Sequence, residues 1–263
     1  GAKLVLSARR EAQLEEVAAE CALIATGSDQ PIAARILPFD LSGPMAELPP
    51  QAHRAAELWG GDSVDVVVHC GGVSSRSAAV ETDLEVDARV MNINYFAPVA
   101  LSKALLPRML ERQQGHIVVV SSVQGRLALP YRTSYSASKH ALHGFFEALR
   151  AEIADRGVKV TLVCPGYVRT NLSLNAVTGK GVPYAKLDAS TAKGMEPDDL
   201  AARIVDAVVT GRDEVTAADL TARIAIVSRA LIPRVLTMYM AQRARKQYRS
   251  EEAALEAEET ASS

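Results

Sequence analysis

The sequence predicts an α/β domain built on a doubly wound parallel sheet. Three observations carry this. Short apolar strands alternate with helical stretches along most of the chain, the pattern of repeated strand–helix–strand units with right-handed crossovers. The run Val64–Cys70 is continuously apolar and His116–Val120 reads as a buried strand, as expected where helices cover both faces. A chain of 263 residues with 48% hydrophobic content fits one such domain.

The elements follow in order. Lys3–Ser7 is a short aliphatic strand. Glu11 to about Ala25 has helical spacing, with Leu14, Val17 and Ala18 on one face. Ile36–Leu41 forms a second strand and its exit. Ala46–Trp59 is a helix with Pro44 near its start and Gly60-Gly61 at its end. After the strand Val64–Cys70, a long helical pattern spans Asp83–Arg112, interrupted around Pro98. The strand before Ser122, a helix over Thr133–Asp155 and a strand over Val158–Cys164 complete the series. The domain is expected to span residues 1–219. A basic, apolar helical segment follows over 220–249, broken at Pro233, and then a disordered acidic tail over 250–263.

Composition narrows the function. A net charge of −2 gives no general attraction to nucleic acid. Cys21, Cys70 and Cys164 show no ligand spacing, which suggests a reducing compartment and no disulfide framework. His140 and His143 would share a helix face without a third ligand, so no metal is expected. There is no apolar run of spanning length and no signal-peptide pattern at the start.

The chemistry concentrates between Ser121 and Lys139. Tyr135 and Lys139 are four residues apart and on one helix would share a face. An ammonium beside a phenol favours the phenolate, lowering a pKa that is ordinarily about 10. Such a phenol can exchange a proton with a substrate oxygen. Ser122 follows the His116–Val120 strand, and the carboxyl ends of parallel strands border the ligand crevice of open α/β sheets.

The ordered set of strand, Ser122, Tyr135, Lys139, apolar helix and Cys164-Pro165-Gly166 resembles the short-chain dehydrogenase/reductase family. That resemblance implies a Rossmann-type fold and a catalytic tetrad of Asn94, Ser122, Tyr135 and Lys139, with Ser122 also touching substrate. It implies a nicotinamide cofactor contacted by Asn94, Tyr135 and Lys139. Asp40-Leu41 resembles the pair that flanks the adenine. His69-Cys70-Gly71-Gly72 stands where the family has Asn-Asn-Ala-Gly, keeping Gly71 and Gly72 for close cofactor approach but departing at His69 and Cys70. Val168 and Thr170, in Pro165-Gly166-Tyr167-Val168-Arg169-Thr170, would meet the nicotinamide end. Ala8 takes the place of the acidic residue usual for NAD, and Arg9 suits the 2′-phosphate of NADP(H). The family's opening strand, its Thr-Gly-x-x-x-Gly-x-Gly turn and its first helix have no counterpart, so the sheet is expected to lack a strand near its centre. By the same resemblance, 171–196 would form the substrate lid.

Finer matches at Asn94–Leu101, Ser121–Gly125, Asn171–Ala176 and Ser228–Arg245 resemble one membrane-anchored branch of the family. That branch is associated with endoplasmic reticulum and peroxisomal membranes. It is linked to reduction of acyl- or alkyl-dihydroxyacetone phosphate. The expected function is therefore NADP(H)-dependent interconversion of a carbonyl and a secondary alcohol, facing the cytosol. Lys180, Lys186, Lys193, Arg126 and Arg132 are available to meet a substrate phosphate. The expected partners are a small-molecule or lipid carbonyl substrate, a membrane surface for the 220–249 segment, and a second copy of the chain. Two alternatives remain open: a steroid or retinoid dehydrogenase, and a non-catalytic scaffold that keeps the fold.

Overall fold

The computed structural model describes residues 2–24, 33–61 and 63–246. The acidic tail expected over 250–263 lies outside the described residues. In chain order the elements are β1 (Lys3–Leu6), α1 (Glu11–Ile24), β2 (Ala33–Ile36), α2 (Leu48–Glu57), β3 (Val66–His69), α3 (Leu84–Met91), α4 (Ala97–Glu111), β4 (Gly115–Val120), α5 (Thr133–Glu152), β5 (Val158–Pro165), α6 (Ala189–Ala192), α7 (Pro197–Thr210), β6 (Glu214–Ala217) and α8 (Leu220–Leu231). Residues 233–246 are also helical.

Every strand pairing is parallel, as expected. The strands divide into two sheets, β1-β2 and β3-β4-β5-β6. The division falls between β1 and β3, where the family resemblance expects a further strand. Among the described residues β3 pairs with β4 alone, leaving Val66 and Val68 41% and 42% exposed. The expectation that β3 is covered on both faces is therefore corrected. Its apolar composition is that of an interior strand, but its position is an edge.

β4 and β5 form the interior. Alternation along them sends Ile117, Val119, Val160 and Leu162 to one face, where they pack with Met109 of α4, Phe146 of α5 and Ala52 of α2. Val118 and Val163 point to the other face and pack with Ala207 of α7 and Val215 of β6. Helices thus cover both faces of the β4–β5 centre. Phe39 and Leu41, just past β2, also pack on the first cluster and tie the two-stranded sheet to it.

Several boundaries differ from expectation. β2 ends at Ile36, where the sequence reading began it, although Leu37 N and Phe39 N still donate to Leu6 O and Ala8 O at 2.9 and 3.1 Å. In α1 only Leu14 of the expected face is buried, and Val17 is 44% exposed. The 46–59 helix begins as a 3-10 turn over Met45–Glu47 and becomes α-helical at Leu48. The Asp83–Arg112 pattern is interrupted by a π-helical turn over Asn92–Phe96, with Pro98 in the first turn of α4, where a missing N–H costs nothing. Three elements were not anticipated: the short α6; α7, which Pro197 opens and a left-handed Gly211 closes; and β6. The 171–196 stretch is closely packed: Ser173, Ala176, Val177 and Thr191 are buried, and Val177 bridges Ser75 and Pro183. The C-terminal helices carry exposed Leu220, Ile224, Val227, Leu231, Val235 and Met238. Among the described residues no helix is long and apolar enough to cross a membrane.

Candidate active site

The site begins where β4 stops. Ser121 N donates to Val163 O at 2.8 Å, carrying the β4–β5 pairing one residue past the strand. Ser122 is extended, and its Oγ accepts from Gln124 N at 3.1 Å, capping a 3-10 turn over Val123–Gly125. After the loop, α5 starts at Thr133, which brings Tyr135 into its first turn and Lys139 one turn later. Tyr135, Ser122 and Lys139 are all buried, and the Ser122 hydroxyl is near enough to draw the Tyr135 pKa down.

Asn94 arrives from the π-helical turn. Extra backbone there turns its amide inward, 1% exposed. Its Oδ1 accepts from Val73 N at 2.8 Å, and its Nδ2 donates to Val73 O at 2.8 Å and to Ser138 Oγ at 2.9 Å. One amide thereby joins the β3–α3 loop to α5. Lys139 Nζ donates to Val120 O at 3.0 Å and stands 5.7 Å from the centre of the Tyr135 ring.

The electrostatics differ from expectation in one respect. Burial raises the Tyr135 pKa; the Ser122 hydrogen bond and then the charges of Arg132 and Arg76 draw it back. The Lys139 ammonium donates to the Val120 carbonyl and lies against the ring, and burial pulls its own pKa to about 8. The arginines, which lie outside the tyrosine–lysine pair, add a cationic field on the phenol.

A line of contacts leads away from Tyr135 toward β1 and β2. A Cβ on Gly72 would lie 3.2 Å from Asn94 Oδ1 and 3.6 Å from Lys139 Nζ, so the glycine keeps the approach to the lysine open. A Cβ on Gly71 would clash with Leu41 Cδ1. Leu41 adjoins Asp40, whose carboxylate lies 3.9 Å from Arg9. Val168 and Thr170 follow the carboxyl end of β5, beside that of β4; Thr170 Oγ1 approaches Val168 O at 3.5 Å. A nicotinamide dinucleotide fits these residues at both ends: hydroxyl and ammonium donors at one, a guanidinium at the other, and a glycine pair between. The pyrophosphate-binding glycine turn of the family has no counterpart in the sequence.

His69 does not leave its place empty. Its Nε2 shares a 2.8 Å hydrogen bond with Ser102 Oγ of α4, and burial lowers its pKa to about 4, so the ring is neutral. Of the basic residues proposed for a phosphate, Arg126 pairs with Glu214 at 2.6 Å and Lys180 with Asp83 at 2.7 Å. Arg132 lies beside Tyr135. Sequence reasoning missed Arg76 and Asp188, which meet Arg132 from far along the chain. It also missed the juxtaposition of His143, Cys164 and Glu214, whose ligand-type atoms fall within 4.8 Å of one another. That cluster is internally engaged: burial first, then neighbouring charges, push the Cys164 thiol up to about 12, and Arg126 holds Glu214.

Comparison with known proteins shows the family and the fold. A family profile described as short chain dehydrogenase matches residues 1–180. Dehydrogenase/reductase SDR family member 7B of Rattus norvegicus is 44% identical over 250 residues, covering 95% of this chain and 76% of the rat protein. The finer resemblance at Asn94–Leu101 and the other stretches is to this branch. Among solved structures, a metagenomic short-chain oxidoreductase in complex with NADP has a TM-score of 0.64 at 25% identity, covering 83% of this chain and 86% of that one. A short chain dehydrogenase/reductase from Burkholderia phymatum in complex with NAD has a TM-score of 0.71 at 23% identity, covering 88% and 86%.

Proposed function

The chain belongs to the short-chain dehydrogenase family of oxidoreductases, and from that membership we propose that it is an NADP(H)-dependent enzyme interconverting a carbonyl and a secondary alcohol. The observation that carries the reading is the burial of Ser122, Tyr135, Lys139 and Asn94 together at the carboxyl end of β4. Hydroxyls of Ser122 and Tyr135 on adjoining elements there can both turn to one substrate oxygen.

Ser122 would hold that oxygen by donating to it. Tyr135 would give it a proton in reduction and remove one in oxidation. Burial keeps the phenol protonated at neutral pH, the state that reduction needs. Lys139 and Asn94 would fix the nicotinamide end, and Lys139 would return protons to Tyr135. A bound nicotinamide supplies or accepts hydride at a carbon held about 3–3.5 Å from the reacting centre. Gly71 and Gly72 would let the cofactor pass closely; Asp40 and Leu41 would flank the adenine; Val168 and Thr170 would face the carboxamide. One structural neighbour was solved with NADP and another with NAD. Arg9, beside Asp40, supports the phosphorylated form here.

The substrate in this reading is a lipid ketone, specifically acyl- or alkyl-dihydroxyacetone phosphate. The resemblance to the member 7B branch supports it, as do exposed apolar side chains on 171–196, Leu172, Val182 and Leu187. The exposed apolar and basic helices over 220–246 would rest on the cytosolic face of endoplasmic reticulum or peroxisomal membranes. The test supplies NADPH or NADH with lipid ketones in micelles and follows cofactor consumption. Turnover with NADPH is expected. A folded protein that consumes neither cofactor with any ketone would be the non-catalytic scaffold instead.

A further inference from the structure

Two arginines meet at the active site on one carboxylate. Arg76 comes from the loop after β3, and Arg132 caps α5 three residues before Tyr135. Arg76 Nη2 and Nε donate to Asp188 Oδ2 at 2.7 and 3.1 Å, and Arg132 Nη2 donates to the same oxygen at 3.0 Å. The side chains of Arg76, Arg132 and Asp188 are 7%, 13% and 15% exposed. Neither arginine has a second carboxylate at ion-pair distance among the described residues. A positive charge is thus left over in a water-poor site, where it is expensive.

The rest of the arrangement holds that charge in place. Arg76 Nη1 also donates to Ser75 O at 2.8 Å and to Ser74 Oγ, and the Arg132 guanidinium lies 5.8 Å from the centre of the Tyr167 ring. Arg132 precedes α5, three residues before Tyr135, and Arg76 joins it through Asp188 Oδ2; both guanidinium charges also draw the phenol pKa down. Their shared partner is Asp188, whose backbone N donates to Ser173 Oγ at 3.3 Å within the 171–196 stretch.

We propose that Arg76 and Arg132 seat a phosphate monoester on the ketone substrate, and that Asp188 is the internal counter-ion the phosphate replaces. This rests on the carbonyl–alcohol reading above and assigns its substrate specificity to named residues. The charge arithmetic selects a phosphate. With Asp188 displaced, two cations face the ligand, and a phosphate monoester carries close to two negative charges at neutral pH. A carboxylate would only exchange one monoanion for another. The guanidinium forks supply more N–H donors than one carboxylate oxygen uses, and phosphate has three terminal oxygens to receive them. Arg132, at the start of the helix that carries Tyr135, puts the phosphate on the same side of the site as the reacting carbonyl.

The test uses the full chain with NADPH and a lipid ketone, phosphorylated or dephosphorylated, alongside inorganic phosphate in thermal melts. Arg76→Gln weakens the field on Tyr135 and so lowers kcat/KM on both ketones, but the loss should be at least about tenfold larger on the phosphorylated one. Asp188→Asn should act oppositely, lowering KM for the phosphorylated ketone alone. Inorganic phosphate should raise the melting temperature of the wild type more than that of Arg76→Gln. Equal losses on both ketones in Arg76→Gln, with KM raised for both in Asp188→Asn, would show a clamp that merely fastens 171–196 and would overturn the proposal. If Arg76→Gln does not fold, the sign of the Asp188→Asn effect still decides. Phosphate stabilisation that depends on Arg76, without turnover of any ketone, would refute the enzymatic reading and leave the anion seat standing.

Discussion

The two ends of the cofactor path are built differently. Around Ser122 and Tyr135 the strands are interior: β4 and β5 are covered on both faces, and each polar side chain has a partner before any ligand arrives. At the far end, β1, β2 and β3 are short and part-exposed, and Arg9 and Asp40 face solvent with 63% and 46% of their side chains exposed. Proton transfer requires positions held to fractions of an ångström, so its groups stand on the core. Recognition of a charged ribose substituent tolerates flexible side chains, so it can stand at an edge.

The sharpest way to break this contrast is at the phenol. Tyr135→Phe removes the proton-carrying hydroxyl and leaves the ring in its pocket. Turnover should fall about 10²–10⁴-fold while NADPH affinity, measured by fluorescence titration, stays near the wild-type value. Wild-type kcat would remove Tyr135 from the chemistry.

Stability should follow the same division. Phe146 is fully buried against β4 and β5, whereas Val68 on β3 is 42% exposed. Phe146→Ala should cost about 3–5 kcal/mol, and Val68→Ala less than about 1 kcal/mol. Comparable denaturation midpoints for the two variants would mean that β3 is as much a part of the core as β4.

The same line separates what was legible in the sequence from what was not. Ser122, Tyr135 and Lys139 lie within one strand–loop–helix unit, so their spacing carried the geometry. Asn94 was legible through the family motif, although not the π-helical turn that aims it. Arg76 lies 112 positions from Asp188, and Arg132 lies 56 from it. No local pattern joins residues that meet only when 171–196 packs over α5. α7 carried readable signals in Pro197, Asp198, Asp199 and Gly211. β6, with the sequence Glu-Val-Thr-Ala, carried almost none. At Val17 and Val68 apolar character was taken for burial, yet hydrophobicity says nothing about whether another element covers that face.

His69 tests the inner side of the exposed region. Its pKa in the fold, about 4, is below the ordinary 6.5 because burial disfavours the charged ring. The unfolded chain therefore binds more protons between those values. Stability from this residue is complete above pH 6.5 and is lost as pH falls toward 4, by up to about 3 kcal/mol. His116 and His143 are lowered as well and add slope of the same sign. His69→Asn, able to keep a bond to Ser102, should show a shallower decline between pH 6.5 and 4 in urea denaturation. An unchanged slope would mean that His69 is hydrated in the folded protein.

The smallest effect belongs to Arg9. Its nearest carboxylate, Asp40, is 3.9 Å away, and both side chains are largely in water. Solvent screening limits such an exposed pair to about 0–1 kcal/mol, and a phosphate bound at the same place would be screened almost as well. Arg9→Asp should therefore raise the KM for NADPH by only about 5-fold to 10-fold, the equivalent of about 1 kcal/mol. NADH should gain less, because the new carboxylate can accept from a ribose 2′-hydroxyl but must also face Asp40. Salt should distinguish this from a structural change. Near 1 M ionic strength the Debye length shrinks to about 3 Å, so the difference between variant and wild type should narrow for NADPH and stay nearly constant for NADH. A hundredfold loss with NADPH would show that Arg9 is enclosed when the cofactor is bound, making the far end of the path as constrained as the end at Tyr135. Unchanged KM values for both cofactors would take Arg9 out of the site.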